Sequence, residues 1–284
     1  MNKRDFYFDN AKFILIFLVV FGHLLRSFIE DHEQISSLYK VIYTFHMPAF
    51  IVISGYFAKG FSKKGYIGKI TKKLIMPYML FQLIYSIFYY FLHQKDALKV
   101  DPFDPNWALW FLLSLFFWNL LLRLFAKYTA GISITIALLI GLFVGYVDWI
   151  NNYLSLSRTF VFLPFFLLGY YMRKEHFYLI LKPKVKVTAF LICSIVFISF
   201  YLNLNINYEW LLGSKPYSEL DVYSLSAVFT RLGFYLLSFI MVFCFFSFVP
   251  RGQYFFTSLG KNTLYVYLLH GFFVQVFRVS DIPN

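Results

Sequence analysis

FDNAKFILIFLVVFGH, residues 8–23, is a long apolar run in which Asp9, Lys12 and His23 are the ionisable residues. A helix needs about 20 mostly apolar residues to cross a hydrocarbon core. The stretch 9–29 meets that length, and eight more segments read the same way: 38–58, 74–93, 107–126, 129–149, 159–172, 187–205, 223–249 and 262–279. Composition agrees. Of 284 residues, 60% are hydrophobic, 24% aromatic and 14% charged, whereas a soluble domain carries about 25% charged residues and cannot hide so much apolar surface around one core. A soluble fold is excluded, and the expected class is an all-α integral membrane bundle of about nine to ten transmembrane helices. Lys3 and Arg4 precede the first run as in a secretory signal. No small-x-small cleavage site follows, so this segment reads as a retained span.

The formal charge of +12 names a partner only once it is located. Connections on the amino-terminal side carry 17 basic residues against three acids, and those on the opposite side seven against eleven. Basic loops resist translocation while acidic ones contribute little to orientation. The amino terminus is therefore expected in the cytoplasm, in a multi-pass protein of the cell membrane. Nucleic acid is not an expected partner, because the positive charge is a topology signal. The lysine-rich inner connections at 59–73 and 173–186 suit anionic lipid headgroups. Cys193 and Cys244, each in an apolar stretch, read as small core residues. No set of His, Asp or Glu has metal-ligand spacing, so no metal is expected.

Ionisable groups in hydrocarbon are costly unless they face a cavity or a partner, so they are where function is first sought. Asp9 and Lys12, three apart, can pair on one helix face. Lys12 and His23, eleven apart, share a face about 16 Å further along a helix. Separately, a snorkelling lysine and a packing histidine would each be unremarkable; their common face is the signal. In TFHMPAFIVISGYF, residues 44–57, His46 lies just before Pro48, which removes a backbone donor and is expected to break the second span. His23 and His46 could then line one cavity. Lys69, Lys72 and Lys73 precede the third span at helical spacing and would hold phosphates as point charges. Orientation alone also accounts for them. Gly60-x4-Gly65 is followed by Tyr66 where a P-loop needs lysine, so nucleotide-triphosphate chemistry is not supported. Arg158, Asn262 and His270 are further polar groups at or within spans, as is Arg231.

DNAKFILIFLVVFGH, FHMPAFIVISGYF, KKLIMPYM, WALWFLLSLFFWN, FLPFFLLGYY and LGKNTLYVYLLHG, in that order, resemble the acyltransferase-3 family, and within it the branch of fucose 4-O-acetylase-like proteins. The resemblance runs from Asp9 to His270. It implies a membrane-bound O-acetyltransferase that takes an acyl group, usually acetyl from cytoplasmic acetyl-CoA, and places it on a hydroxyl of an envelope or exported glycan. Acyl-CoA is then a donor substrate and no bound cofactor is expected. Polysaccharide-synthesis proteins are expected partners besides the glycan and the lipid. The family's arginine-x10-histidine corresponds to Lys12-x10-His23, with lysine for arginine as is common in this branch. Its basic pair before the third span corresponds to Lys69-x2-Lys72, or with an adjacent register to Lys73.

For such a transfer a sugar hydroxyl needs a base, and His23 is the expected one, with Lys12 and His46 as further catalytic residues. Lys69, Lys72 and Lys73 would attract the coenzyme's phosphates, and Asp9, Arg158, Asn262 and His270 would meet substrate. A single membrane acyltransferase domain over 1–284 is expected; the family usually has ten spans against the nine read here, so the sequence is expected either to be truncated or to lack the last helix. A transporter or flippase for a glycan or lipid-linked sugar is the competing reading, since nine spans with a polar stripe also suit a conduit.

Overall fold

A computed structural model describes residues 5–203, 205–220 and 222–280; Lys3 and Arg4 lie outside the described residues. Among the described residues all regular structure is helical. The α-helices are α1 (Phe6–Leu25), α2 (Glu33–Phe57), α3 (Tyr66–Ile70), α4 (Met76–Leu92), α5 (Trp110–Phe125), α6 (Ala130–Phe143), α7 (Leu156–Tyr171), α8 (Lys174–Leu179), α9 (Pro183–Leu202), α10 (Glu209–Leu212), α11 (Leu225–Phe248) and α12 (Thr263–Val279).

Among the described residues, seven stretches are long and apolar enough to cross a membrane: those of α1, α2, α3–α4, α5, α7, α9 and α11. The two remaining expected spans are the shorter apolar helices, Ala130–Tyr146 and Thr263–Val279. The chain is an integral membrane protein, as its surface shows. On α9, Val187, Phe190, Leu191, Ile195 and Ile198 are all more than half exposed, which is tolerable against lipid tails and not against water.

Element limits differ from the sequence reading in physically readable ways. α1 starts at Phe6 because the Asp5 carboxylate accepts the Tyr7 N–H at 3.2 Å and caps the helix. Pro48 does not break α2, which runs unbroken from Glu33 to Phe57. Membrane helices absorb such a proline when neighbouring groups re-satisfy the freed backbone. Pro77 has its effect one turn earlier: residues Thr71–Ile75 form a π turn, with Met76 N–H bonded to the Thr71 carbonyl. Its missing N–H and its ring disfavour an ordinary turn over Lys73.

The chain forms two compact units, one of Met1–Ile53, Met172–Leu211 and Gly233–Asn284, the other of Ser54–Tyr171 and Leu212–Leu232. In the first, α1 lies along α12, and the short turn Leu259–Lys261 sits on α1. A Cβ on Gly260 would come 2.0 Å from the Asp9 carbonyl oxygen, so only glycine allows that approach.

In the second unit α7 packs on α5 and α6. The Ser114 hydroxyl pairs with Ser155 at 2.8 Å and Thr159 at 2.9 Å, and the Trp118 indole donates to the Thr159 carbonyl at 2.7 Å. Gly55 is the tightest point of this unit, since a Cβ there would lie 2.0 Å from the Phe166 carbonyl oxygen. Gly55→Ala must therefore force backbone apart, at a cost of about 1–3 kcal/mol. Gly131→Ala meets nothing within 4 Å and gains helix propensity. Thermal unfolding in detergent should show a lower midpoint for Gly55→Ala and an equal or higher one for Gly131→Ala.

Candidate active site

The amino-terminal turn of α1 is anchored on three sides. Asp5 pairs with Lys174 at 2.8 Å and accepts the Tyr178 hydroxyl at 3.0 Å. Asn10, fully buried, donates to the carbonyls of Pro250 at 2.9 Å and Gly252 at 2.8 Å, and its own carbonyl accepts from the Thr257 hydroxyl at 2.6 Å. Tyr7 donates to the Phe246 carbonyl at 2.7 Å. One turn on, Lys12 reaches back to buried Asp9 at 2.9 Å, as the three-residue spacing requires.

The Lys12–His23 face is turned into protein. Leu15, Ile16 and Val19, which lie between them on the same side, are at most 3% exposed, whereas Phe17 on the far side is 57% exposed. At the other end of α1, the His23 ring lies 5.5 Å from the His270 ring of α12 and 6.4 Å from Tyr43 of α2. The Tyr43 hydroxyl approaches His23 Nδ1 at 3.4 Å. The His23 backbone carbonyl, left over at the helix end, accepts from Arg278 at 2.9 Å.

His46 is buried, with its ring edge-on to Tyr43 at 4.5 Å, so Tyr43 contacts both of the histidines that could line one cavity. His46 Nδ1 lies 2.8 Å from the Ile42 carbonyl, and His270 Nδ1 lies 2.7 Å from that of Tyr267. A carbonyl can only accept, so both rings carry hydrogen on Nδ1 and, when neutral, offer Nε2 as a base. Tyr39 stacks on Tyr43 at 3.9 Å and meets Tyr208 edge-on at 5.5 Å; Tyr208 in turn accepts from Arg26. Together these rings wall the histidine cluster.

Of the residues expected from sequence, Asp9, Lys12, His23, His46, His270 and Asn262 all belong to the first unit. Asn262 is exposed and precedes α12 beside the turn that rests on Asp9. Lys69, Lys72, Lys73 and Arg158 belong to the second unit. The three lysines are exposed on α3 and the π turn. Arg158 stacks over Trp110 at 5.0 Å and donates to Asn152 at 2.5 Å. Sequence reasoning missed Asn10, Tyr39 and Tyr43. The spacing Tyr39, Tyr43, His46 on α2 is a one-face helical pattern that could have revealed the last two.

The acyltransferase-3 family, whose description is "Acyltransferase domain", matches residues 5–284. The chain belongs to this family. Nodulation protein NolL of Sinorhizobium fredii (strain NBRC 101917 / NGR234) is 53% identical over 62 residues, covering 21% of this acyltransferase-3 chain and 17% of that protein. NolL of Mesorhizobium japonicum is 45% identical over 87 residues, covering 28% and 23% respectively. The matched part is thus less than a quarter of either curated relative. No solved structure matches this acyltransferase-3 domain.

The anchor of α1 can be tested at two points. Asn10→Ala leaves buried backbone carbonyls without their donor and should cost about 1–3 kcal/mol of stability, read as a lower unfolding midpoint in detergent. Burial alone would raise the Asp5 carboxyl, but Lys174, Tyr178 and the Tyr7 amide outweigh it and hold it below the usual 3.8. Lys174 is held above its usual 10.5, first by its hydrogen bond to Asp5. The pair's contribution, small because Lys174 is half-exposed, is thus full between those ordinary values. It is lost as pH falls through the depressed carboxyl value, or as pH rises through the elevated lysine value. Lys174→Met should flatten the acid limb of the stability profile between about pH 4 and pH 2, measured by unfolding midpoints.

Proposed function

We propose that this acyltransferase-3 protein is an O-acetyltransferase of the cell membrane, moving an acyl group, acetyl in the simplest case, from cytoplasmic acyl-CoA to a hydroxyl of an envelope or exported glycan. The observation that carries this reading is the His23 cluster at one end of the inward face of α1, with the Asp9–Lys12 pair near the other. A sugar hydroxyl is a weak nucleophile until a base takes its proton, and imidazole suits that task near neutral pH.

In the tautomer whose Nδ1–H points to the Tyr43 oxygen, His23 presents Nε2 as the base. The hydroxyl oxygen forms a bond to the thioester carbonyl carbon as its proton passes to His23. The C–S bond then breaks, and the proton returns from the imidazolium to the departing thiolate. The products are the O-acyl glycan and free CoA thiol, and the imidazole is neutral again. His46 and His270, each with a fixed tautomer, orient the acceptor or relay the proton. Lys12 and Asp9 form the cytoplasmic mouth, while Lys69, Lys72 and Lys73 attract the coenzyme's phosphates. As lysines they do so by point charge and not by the planar fork of arginine. An inward amino terminus follows from the loop charges. Asn262 and His270 would meet substrate along α12.

The test supplies isotopically labelled acetyl-CoA to one side of proteoliposomes and assays ester on a glycan acceptor presented at the other. The native chain should form ester, and His23→Ala should lose at least 100-fold in rate with unchanged insertion and unfolding midpoint. Glycan movement without ester would instead support the transporter reading. Undiminished transfer by His23→Ala would remove this residue from the chemistry.

A further inference from the structure

A second polar region lies entirely within the unit Ser54–Tyr171 and Leu212–Leu232. There, three connections that the span pattern assigns to the outer side, those after α4, before α7 and before α11, meet around an open cavity of about 570 Å³. That volume falls in the range of small-ligand sites. Asp101, Asp104, Asn152, Tyr153, Arg158 and Glu219 line it, with Lys215 at its side.

The walls are held from beneath. The Gln82 carboxamide, buried on α4, donates to the carbonyls of Asp101 and Asp104 at 2.6 Å each and accepts the Asn106 N–H at 2.8 Å. Tyr78 donates to the Pro102 carbonyl at 2.8 Å, and Leu154 N–H to that of Phe103 at 2.6 Å. The acidic loop thus turns its backbone acceptors inward while its carboxylates border the cavity. Leu154 and Ser155 adopt left-handed backbone, with φ of 52° and 54°. The Ser155 N–H bonds to the Asn152 carbonyl, and its side chain pairs with buried Ser114, which over-determines the turn. The third wall is tied down by Ser157, which donates to the Gly213 carbonyl at 2.8 Å, and by Tyr217, which donates to that of Leu142 at 2.7 Å.

On the inner surface the polar groups form one hydrogen-bonded strip. Arg158 donates to the Asn152 oxygen at 2.5 Å, and the Asn152 nitrogen donates to Asp104 at 3.1 Å. Guanidinium, amide and carboxylate side by side present both donors and acceptors, which vicinal hydroxyls, themselves both, can satisfy together. Tyr153, 46% exposed and with Phe103 tilted against it at 5.9 Å, gives the cavity an aromatic face suited to the C–H face of a pyranose. Three carboxylates against two cations disfavour a phosphate or other anion. The carboxylates do not converge on one point: Asp101 caps the Phe103 N–H at 2.8 Å and Asp104 holds Asn152.

We propose that this cavity is a carbohydrate-binding site that receives a neutral glycosyl segment, with Asp104, Asn152 and Arg158 bonded to its hydroxyls and Tyr153 stacked on a ring face. The assignment rests on the glycan-acceptor reading above and deepens it, since Arg158 becomes a recognition residue in a built site.

The test uses the full chain in lipid nanodiscs and saturation-transfer NMR, with methyl glycosides of neutral hexoses, 6-deoxyhexoses and N-acetylhexosamines as probes and glycerol phosphate as the anionic control. At least one glycoside should receive saturation, and Asp104→Asn and Asn152→Ala should each lower it at least fivefold. Tyr153→Ala, which removes an exposed ring, should do the same with no change in unfolding midpoint. Gly131→Ala, where an added Cβ meets nothing within 4 Å, should bind the probe as the native chain does. No transfer to any glycoside, transfer to glycerol phosphate alone, or a signal untouched by all three variants would overturn the proposal. Glycoside binding lost in these variants, in a chain that makes no ester, would uphold the site and sink the acyl-transfer reading. Ester formation with an acceptor KM unmoved by the cavity variants would sink the site alone.

Discussion

Hydrocarbon offers no hydrogen bonds, and that single constraint orders this molecule. Each polar group carried into the apolar helices has to find its partner inside the protein, because water is not there to replace it. Asp9 has Lys12, Asn10 has the chain around residues 250–257, and Gln82 has the backbone of the loop after α4. Most of these partners are distant in sequence, so each such bond also fixes topology. Removing any of them leaves a desolvated acceptor or donor with nowhere to turn.

The same constraint sorts the helices. α2 and α7, which carry serines, glycines and a proline, are mostly buried, whereas α9, predominantly apolar, buries little of its span. Close approach is made possible by glycine at two points, Gly55 against α7 and Gly260 against α1. The latter sets the start of α12 at the level of Asp9, and from there a parallel run brings His270 to the level of His23.

Helix periodicity made part of this legible. The apolar runs were readable because span length is set by bilayer thickness, and the common face of Lys12 and His23 because eleven residues complete three turns. What periodicity cannot supply is the identity of the facing helix. Hence His23 and His46 could be read as lining one cavity, but it could not be read that Tyr43 touches both rings or that His270 lies alongside His23. Pro48 was expected to interrupt a helix that in fact continues. Asn10 and Gln82 hold the architecture through bonds to residues about 240 and 20 positions away. Each was a lone amide in an apolar run, a visible oddity whose partner no local pattern names. The cavity beside Arg158 was least readable, since it needs three loops to meet, and only Arg158 among its residues stood out.

The π turn at Thr71–Ile75 has an effect on chemistry as well as on shape. Widening one turn rotates the helix on its amino-terminal side relative to the helix on its carboxyl-terminal side, so the register of Lys69 against α4 depends on Pro77 rather than on the lysines themselves. Replacing that proline would let the segment rewind by a fraction of a turn and swing a positive charge around the rod without altering a single cation. The electrostatic compass of this end of the protein is therefore set by an uncharged ring.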